Sequence, residues 1–199
     1  MSKQSNTNTL VIDTETTGLP PRYAPPHMLE AWETCRIVQI AWEVYDENGN
    51  HINSECYIIR PNGFVIPVES SQIHGIQHEH AEKHGSSLMH VLERLMHLLP
   101  SIARIVAHNM NFDDNVVQSE VYRLGCPFSK ELLNEWNSKE KICTMKAGTA
   151  PGKKWPKLAE LYAKCFGAPP SGTMHRADED VRACADIYHF QSGIRTKTL

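Results

Sequence analysis

Apolar and polar positions along this chain alternate between a strand-like and a helix-like period. The run Leu10-Val11-Ile12 is continuously apolar and reads as a strand buried on both faces. It leads into Asp13-Thr14-Glu15-Thr16-Thr17-Gly18, where the chain turns. Ile37–Tyr45 and residues 51–60 read as two further strands, joined by a turn whose Asn48-Gly49 pair is a hairpin signal. Residues 86–99 place Leu88, Val91, Leu92, Leu95, Leu98 and Leu99 on one helical face, and Pro100 stops that helix. Ile102–Ala107 is another buried strand. A helix over 114–124 follows, with Val116, Val117, Val121 and Leu124 as its stripe and Gly125 as its C-cap. Residues 129–140 read as helical, with 142–145 a short segment beside them. Pro156 opens a helix lined by Leu158, Leu161, Tyr162, Cys165 and Phe166, and a last helix covers about 176–191. Strands alternating with helices, without internal repeats, predict a single α/β domain.

Four acids break this pattern. Side chains alternate along a strand, so Asp13 and Glu15 point to one face at the end of a buried run. Asp113 precedes Val116 and Val117 by three and four residues and so continues their inward stripe, whereas Asp114 is rotated away. Asp180 lies three residues after Ala177, four before Cys184 and seven before Ile187, inside the core stripe of the last helix. Asp178 and Glu179 fall off that line and suit a helix N-terminus. Buried carboxylates are costly unless a cation, a proton or hydrogen-bond donors neutralise them. The pattern therefore predicts a divalent-metal site built from several elements, with His175 just ahead of the last acid.

Composition narrows the setting. The chain has 199 residues, enough for one domain with a sizeable core. Its net charge of -3 argues against a basic nucleic-acid coat but not against a nucleic-acid enzyme, because bound cations offset clustered carboxylates. Six scattered cysteines without a C-x-x-C pair suggest neither a zinc knuckle nor a redox motif, and suit a reducing compartment. The polar residues 1–8 read as a disordered lead-in without the apolar segment of a signal peptide, and no run is long enough to span a membrane. The expected location is intracellular, in cytoplasm or nucleus. Residues 19–26 carry four prolines and form a loop, with a short helix expected between 28 and 35. That loop is either a surface excursion or a border of the acid site. His74, His78, His80 and His84 include two i, i+4 pairs that suit zinc, but no acid or cysteine completes a ligand set, which favours a solvated helical surface.

The stretches Asp13-Thr14-Glu15-Thr16-Thr17-Gly18, His108-Asn109-Met110-Asn111-Phe112-Asp113 and His175-Arg176-Ala177-Asp178-Glu179-Asp180 together resemble the three motifs of the DEDDh (DnaQ-like) 3'-to-5' exonucleases. That family includes proofreading subunits of bacterial replicative polymerases and ribonuclease T. Ile73-His74-Gly75-Ile76 is similar to a segment the family often carries between its first two motifs, and matching features span residues 9 to about 191. The proline-rich loop is longer than the family pattern. The resemblance implies a ribonuclease H-like mixed β-sheet flanked by helices, over residues 9–192, with 193–199 as a tail. It implies two Mg²⁺ ions per site, replaceable by Mn²⁺, with Asp13 bridging them and Glu15, Asp113 and Asp180 completing the site. His175 would take the proton from the attacking water, and its ordinary pKa near 6.5 suits that task. Thr16, Thr17 and His74 would meet the terminal nucleotide. Asn109 and Phe112 would line the substrate side, or, as favoured here, shape the second motif.

The expected substrate is nucleic acid with a free 3' end, DNA ahead of RNA; an exoribonuclease with the same site is the alternative, since the acids act on phosphates that both polymers share and do not separate the two. A DNA polymerase or a second copy of the chain is the partner the family suggests, although no docking tail follows the last helix pattern. Two further readings are a non-catalytic nucleic-acid-binding or polymerase-docking module and a zinc-stabilised interaction domain. Lys153, Lys154 and Lys157 around Trp155, and Arg176, are candidate phosphate contacts or solvated surface.

Overall fold

The computed structural model describes residues 7–172 and 175–194. Strand β1, Asn8–Thr16, lies at the centre of a five-stranded sheet of order β3-β2-β1-β4-β5. Strands β2 (Ile37–Tyr45) and β3 (His51–Ile58) continue from it as an antiparallel meander. Strands β4 (Ile102–Ala107) and β5 (Glu140–Cys143) run parallel to β1 on its other side. Antiparallel and parallel pairing thus meet at β1, and the carboxyl ends of β1, β4 and β5 open at one edge of the sheet. Open α/β sheets bind ligands at such an edge.

Alternation along β1 decides which face each side chain serves. Leu10 and Ile12 pack with Trp42 against helices α3 (Leu88–Leu98), α4 (Met110–Leu124) and α5 (Ser129–Ser138). Val11 packs on the opposite face with Ala41 and Val106 against Ala177, Val181, Cys184 and Tyr188 of helix α8 (Ala177–Gln191). Helix α7 (Leu158–Phe166) lies outside α8, through Leu161, Cys165 and Ile187. Full burial of each large aliphatic side chain contributes about 1.5–3 kcal/mol. Asp13 and Glu15 share the parity of Val11 and face α8, whereas Thr14 faces α4.

Three elements differ from the sequence reading. Helix α4 starts at Met110, not at residue 114, because the Asn109 carbonyl accepts from the N–H groups of Phe112 (2.8 Å) and Asp113 (3.4 Å). Buried Met110 extends the apolar stripe back one turn, so Asp113 is a helical residue. The helix expected over 129–140 ends at Ser138, and residues 140–143 form an edge strand instead of a loose segment. There Arg104 of β4 pairs with Glu140 at 3.5 Å. The four histidines do not share one helix. Helix α1 (Val68–His74) ends at Gly75, whose φ of 77° suits glycine, and α2 (His78–His84) starts afresh. Ile76, between them, packs on Val38. His80 and His84 stack at 4.8 Å, His78 pairs with Glu82 at 3.4 Å, and no metal-capable group forms there among the described residues.

A buried ion pair fixes the entry to β2. The Arg36 guanidinium meets the Glu120 carboxylate of α4 at 2.7 Å, and the Ile37 N–H donates to the same carboxylate at 3.2 Å. This ties the end of the proline-rich loop to the helix that carries Asp113.

Candidate active site

The four acids converge from three elements at the carboxyl edge of β1. Asp13 and Glu15 arrive on the strand and Asp180 from the first turn of α8, on the face they share. Asp113 arrives from the first turn of α4 on the opposite side. Two donors of Thr14 hold it: the backbone N–H at 3.1 Å and the hydroxyl at 2.9 Å, both to Oδ1. Thr14 thus secures the fourth acid because it points opposite to its two acidic neighbours.

His175 sits in the same cluster. Ligating atoms of Glu15, His175 and Asp180 lie within 4.8 Å of one another. The His175 backbone N–H donates to Asp180 Oδ2 at 3.1 Å, and its φ of 65° is left-handed. A non-glycine residue in that region is held there by its surroundings, a form of strain concentrated at functional sites. The bonded pair places the histidine ring at the cluster's exposed rim while Asp180 stays 6% exposed.

The charges are unresolved within the protein. None of the four carboxylates forms an ion pair among the described residues, and Asp180 Oδ1 is buried without a hydrogen-bond partner there. Burial, joined by the charges of Asp113, Asp180 and Glu15, raises Asp13 well above the carboxylate range. Burial, then Asp180 and Asp113, pushes Glu15 up to about 7. Burial pushes Asp113 up to about 7, although the Thr14 donors pull the other way. Burial pushes Asp180 up to about 6 against the His175 N–H. An all-oxygen donor set with mutually repelling charges fits a hard divalent cation such as Mg²⁺ or Mn²⁺.

These shifts carry a sign for stability. The folded state holds these protons more tightly than the unfolded chain, so metal-free stability falls as pH rises from about 4 through about 7. In EDTA, the melting temperature should fall between pH 5 and pH 8. Saturating Mg²⁺ at pH 8 should raise it, by about 2.7 kcal/mol at a hundredfold excess over Kd, or about 5–10 °C. A melting temperature indifferent to Mg²⁺ at pH 8 would show that the acids are not a metal site.

Residues 10–188 match the family described as Exonuclease, of the ribonuclease T type. The chain belongs to this exonuclease family. Within it, the chain is of the DEDDh type of 3'-to-5' exonucleases. No curated protein matches the sequence. Among solved structures, E. coli exonuclease I in complex with a dT13 oligonucleotide is 22% identical, with a TM-score of 0.67 over 92% of this chain and 40% of that one. The zinc-bound E. coli exonuclease I–ssDNA complex is 22% identical, with a TM-score of 0.69 over 94% and 41%. An exonuclease I/SSB-Ct complex is 21% identical, with a TM-score of 0.67 over 95% and 42%. The likeness establishes the ribonuclease H-like fold, and the chain spans about two fifths of those proteins.

The other candidate residues sort by what each group already touches. Thr16 donates to the Gly18 carbonyl at 2.9 Å and stays half-buried at the strand end. Thr17 is spent internally. Its hydroxyl donates to the Thr34 carbonyl (2.8 Å) and accepts from Arg36 N–H (2.9 Å), its N–H donates to the Arg36 carbonyl, and its carbonyl accepts from Ser70. It staples both ends of the proline-rich loop to β1. Phe112 packs on the core behind α4, and the Asn109 carbonyl starts that helix.

His74 is 4% exposed, and burial lowers its pKa. The Ile76 N–H donates to its Nδ1 at 3.1 Å, which puts the ring proton on Nε2. That Nε2 is buried without a partner among the described residues, and His74 lines an open groove of about 590 Å³ together with Gln39, His175 and Arg176. The groove has room for a nucleotide. Tyr23, which the sequence reading passed over, comes from the proline-rich loop. Its ring meets Trp32 edge-on at 6.0 Å and its hydroxyl reaches the Asn109 side chain, so the loop borders the site. An aromatic among prolines, a residue type suited to base stacking, was the available signal.

Proposed function

We propose that this protein removes nucleoside 5'-monophosphates from the 3' end of single-stranded or frayed DNA, in a divalent-metal-dependent hydrolysis. The observation that supports this most is the convergence of Asp13, Glu15, Asp113 and Asp180, unpaired and raised in pKa, with His175 at their rim. Asp13, Glu15, Asp113 and Asp180 would hold two Mg²⁺ ions, which would neutralise the phosphodiester and lower the pKa of the attacking water.

The chain's own residues do the remainder. His175, exposed and adjacent to the acids, accepts the proton of the attacking water. Asp180 holds His175 through the backbone bond, and Thr14 holds Asp113. His74, which lines the groove, meets the terminal nucleotide there, and Thr16 at the end of β1 meets its 3' side.

Polarity and polymer are tested together. With Mg²⁺, 5'-labelled single-stranded DNA should yield a ladder of shortened labelled products, and a blocked 3' end should stop it. Degradation that proceeds past a blocked 3' end would overturn the polarity. Duplex DNA and RNA of the same sequence should be cut more slowly; faster cutting of RNA would make the enzyme an exoribonuclease with the same site. Among the described residues no helix is long and apolar enough to cross a membrane.

A further inference from the structure

A second feature reaches the same edge of the sheet. The loop between the short helix α6 (Thr144–Ala147) and α7 carries Lys153, Lys154, Trp155 and Lys157, all exposed, with the indole 58% exposed. None of these lysine ammonium groups forms an ion pair among the described residues, although Glu160 accepts from the Lys157 backbone N–H. The loop is not free to wander. The Pro156 carbonyl lies 3.0 Å from His108 Nε2, and His108 Nδ1 lies 3.1 Å from the Thr144 hydroxyl. His108 follows β4 directly and stands five residues before Asp113, and burial lowers its pKa. A half-buried, neutral histidine therefore anchors a cationic aromatic loop beside the acids.

We propose that this loop is a platform for the single strand entering the site: Trp155 stacks on a base upstream of the scissile phosphate, and Lys153 and Lys154 hold the adjoining backbone. Three features carry the proposal. In a chain of net charge -3, three unpaired lysines stand within five residues. A large aromatic exposed among them would cost solvation without a partner, whereas every base offers it a face. The His108 anchor joins the loop to the element that positions Asp113. The occupant is single-stranded nucleic acid, because stacking on an exposed indole needs an unpaired base. The proposal takes its substrate from the nuclease reading, but binding is measured apart from hydrolysis.

The intrinsic fluorescence of the whole chain reads it directly. Trp32, Trp42 and Trp136 are buried, so Trp155 is the tryptophan an oligonucleotide can reach. In the Asp13→Ala background, an oligothymidylate of about 12 nucleotides should quench tryptophan emission. The fluorescence anisotropy of the labelled oligonucleotide should give a Kd about tenfold weaker for Trp155→Ala. Trp155→Phe should keep the Kd within about twofold, as another stacking ring, while losing the quench. Lys153→Ala with Lys154→Ala should flatten the slope of log K against log salt by about 1.4, at about 0.7 per phosphate contact. Lys130→Ala, on α5, should leave both unchanged. An unaltered Kd and salt slope in the loop variants would overturn the platform. Intact binding without hydrolysis by the unmodified protein would instead overturn the nuclease reading and leave the platform standing.

Discussion

Asp13→Ala should lower Mg²⁺-dependent hydrolysis by at least about 10³-fold, equivalent to about 4 kcal/mol of barrier. The charges of Asp113, Asp180 and Glu15 all bear on Asp13. In the proposed metal site its loss would remove a ligand together with the charge on which the other three acids bear. The same variant should be more stable than the unmodified protein in EDTA at pH 8, because one repelling charge is gone from a crowded, half-buried cluster. It should also gain less from Mg²⁺. Opposite signs for activity and metal-free stability are the signature: a residue of the packing alone would lower both. Asp13→Asn, which keeps the volume, should behave like the alanine variant. Steady-state hydrolysis of single-stranded DNA and thermal melts with and without EDTA measure both. Activity within tenfold of the unmodified protein would remove Asp13 from the site.

His175→Ala should slow turnover by about 10²-fold or more, the range for loss of a general base. In the proposed site this residue would do two things, through its ring and through its backbone. Its ring lies with Glu15 and Asp180, and its backbone, at φ 65°, donates to Asp180. His175→Asn keeps a residue that tolerates the left-handed region and so preserves the backbone contact without a base. Both variants should lose turnover alike while oligonucleotide KM moves little. If His175→Asn retains near-normal turnover, the residue acts through Asp180, and the ring is not the proton acceptor.

Much of the fold was readable because its elements follow local rules. The apolar run at Leu10, the Asn48-Gly49 turn, Pro100 and Gly125 mark boundaries by backbone chemistry alone. The misreadings share a cause. Strand β5 is short and sits at an edge; what defines it is the β4 register, with Ile142 opposite Val106, rather than its own alternation. The start of α4 depends on Met110 finding the core, a tertiary event. The histidine run looked like one surface because helical spacing continues across Gly75, yet the left-handed turn there sends His74 inward and the others outward.

By itself the sequence determined which carboxylates cannot be ordinary surface: strand parity settles Asp13 and Glu15, and the inward stripes of two helices settle Asp113 and Asp180. Periodicity reports which way a side chain faces, but not what it faces. Only the tertiary structure decided that α4 and α8, on opposite faces of the sheet, deliver their acids to one strand end. It also decided that Thr17 is a staple, that Tyr23 stands at the rim, and that His108 holds the Trp155 loop beside the acids. These are contacts between residues 17 to 99 positions apart, or between loops, where no local period carries a signal.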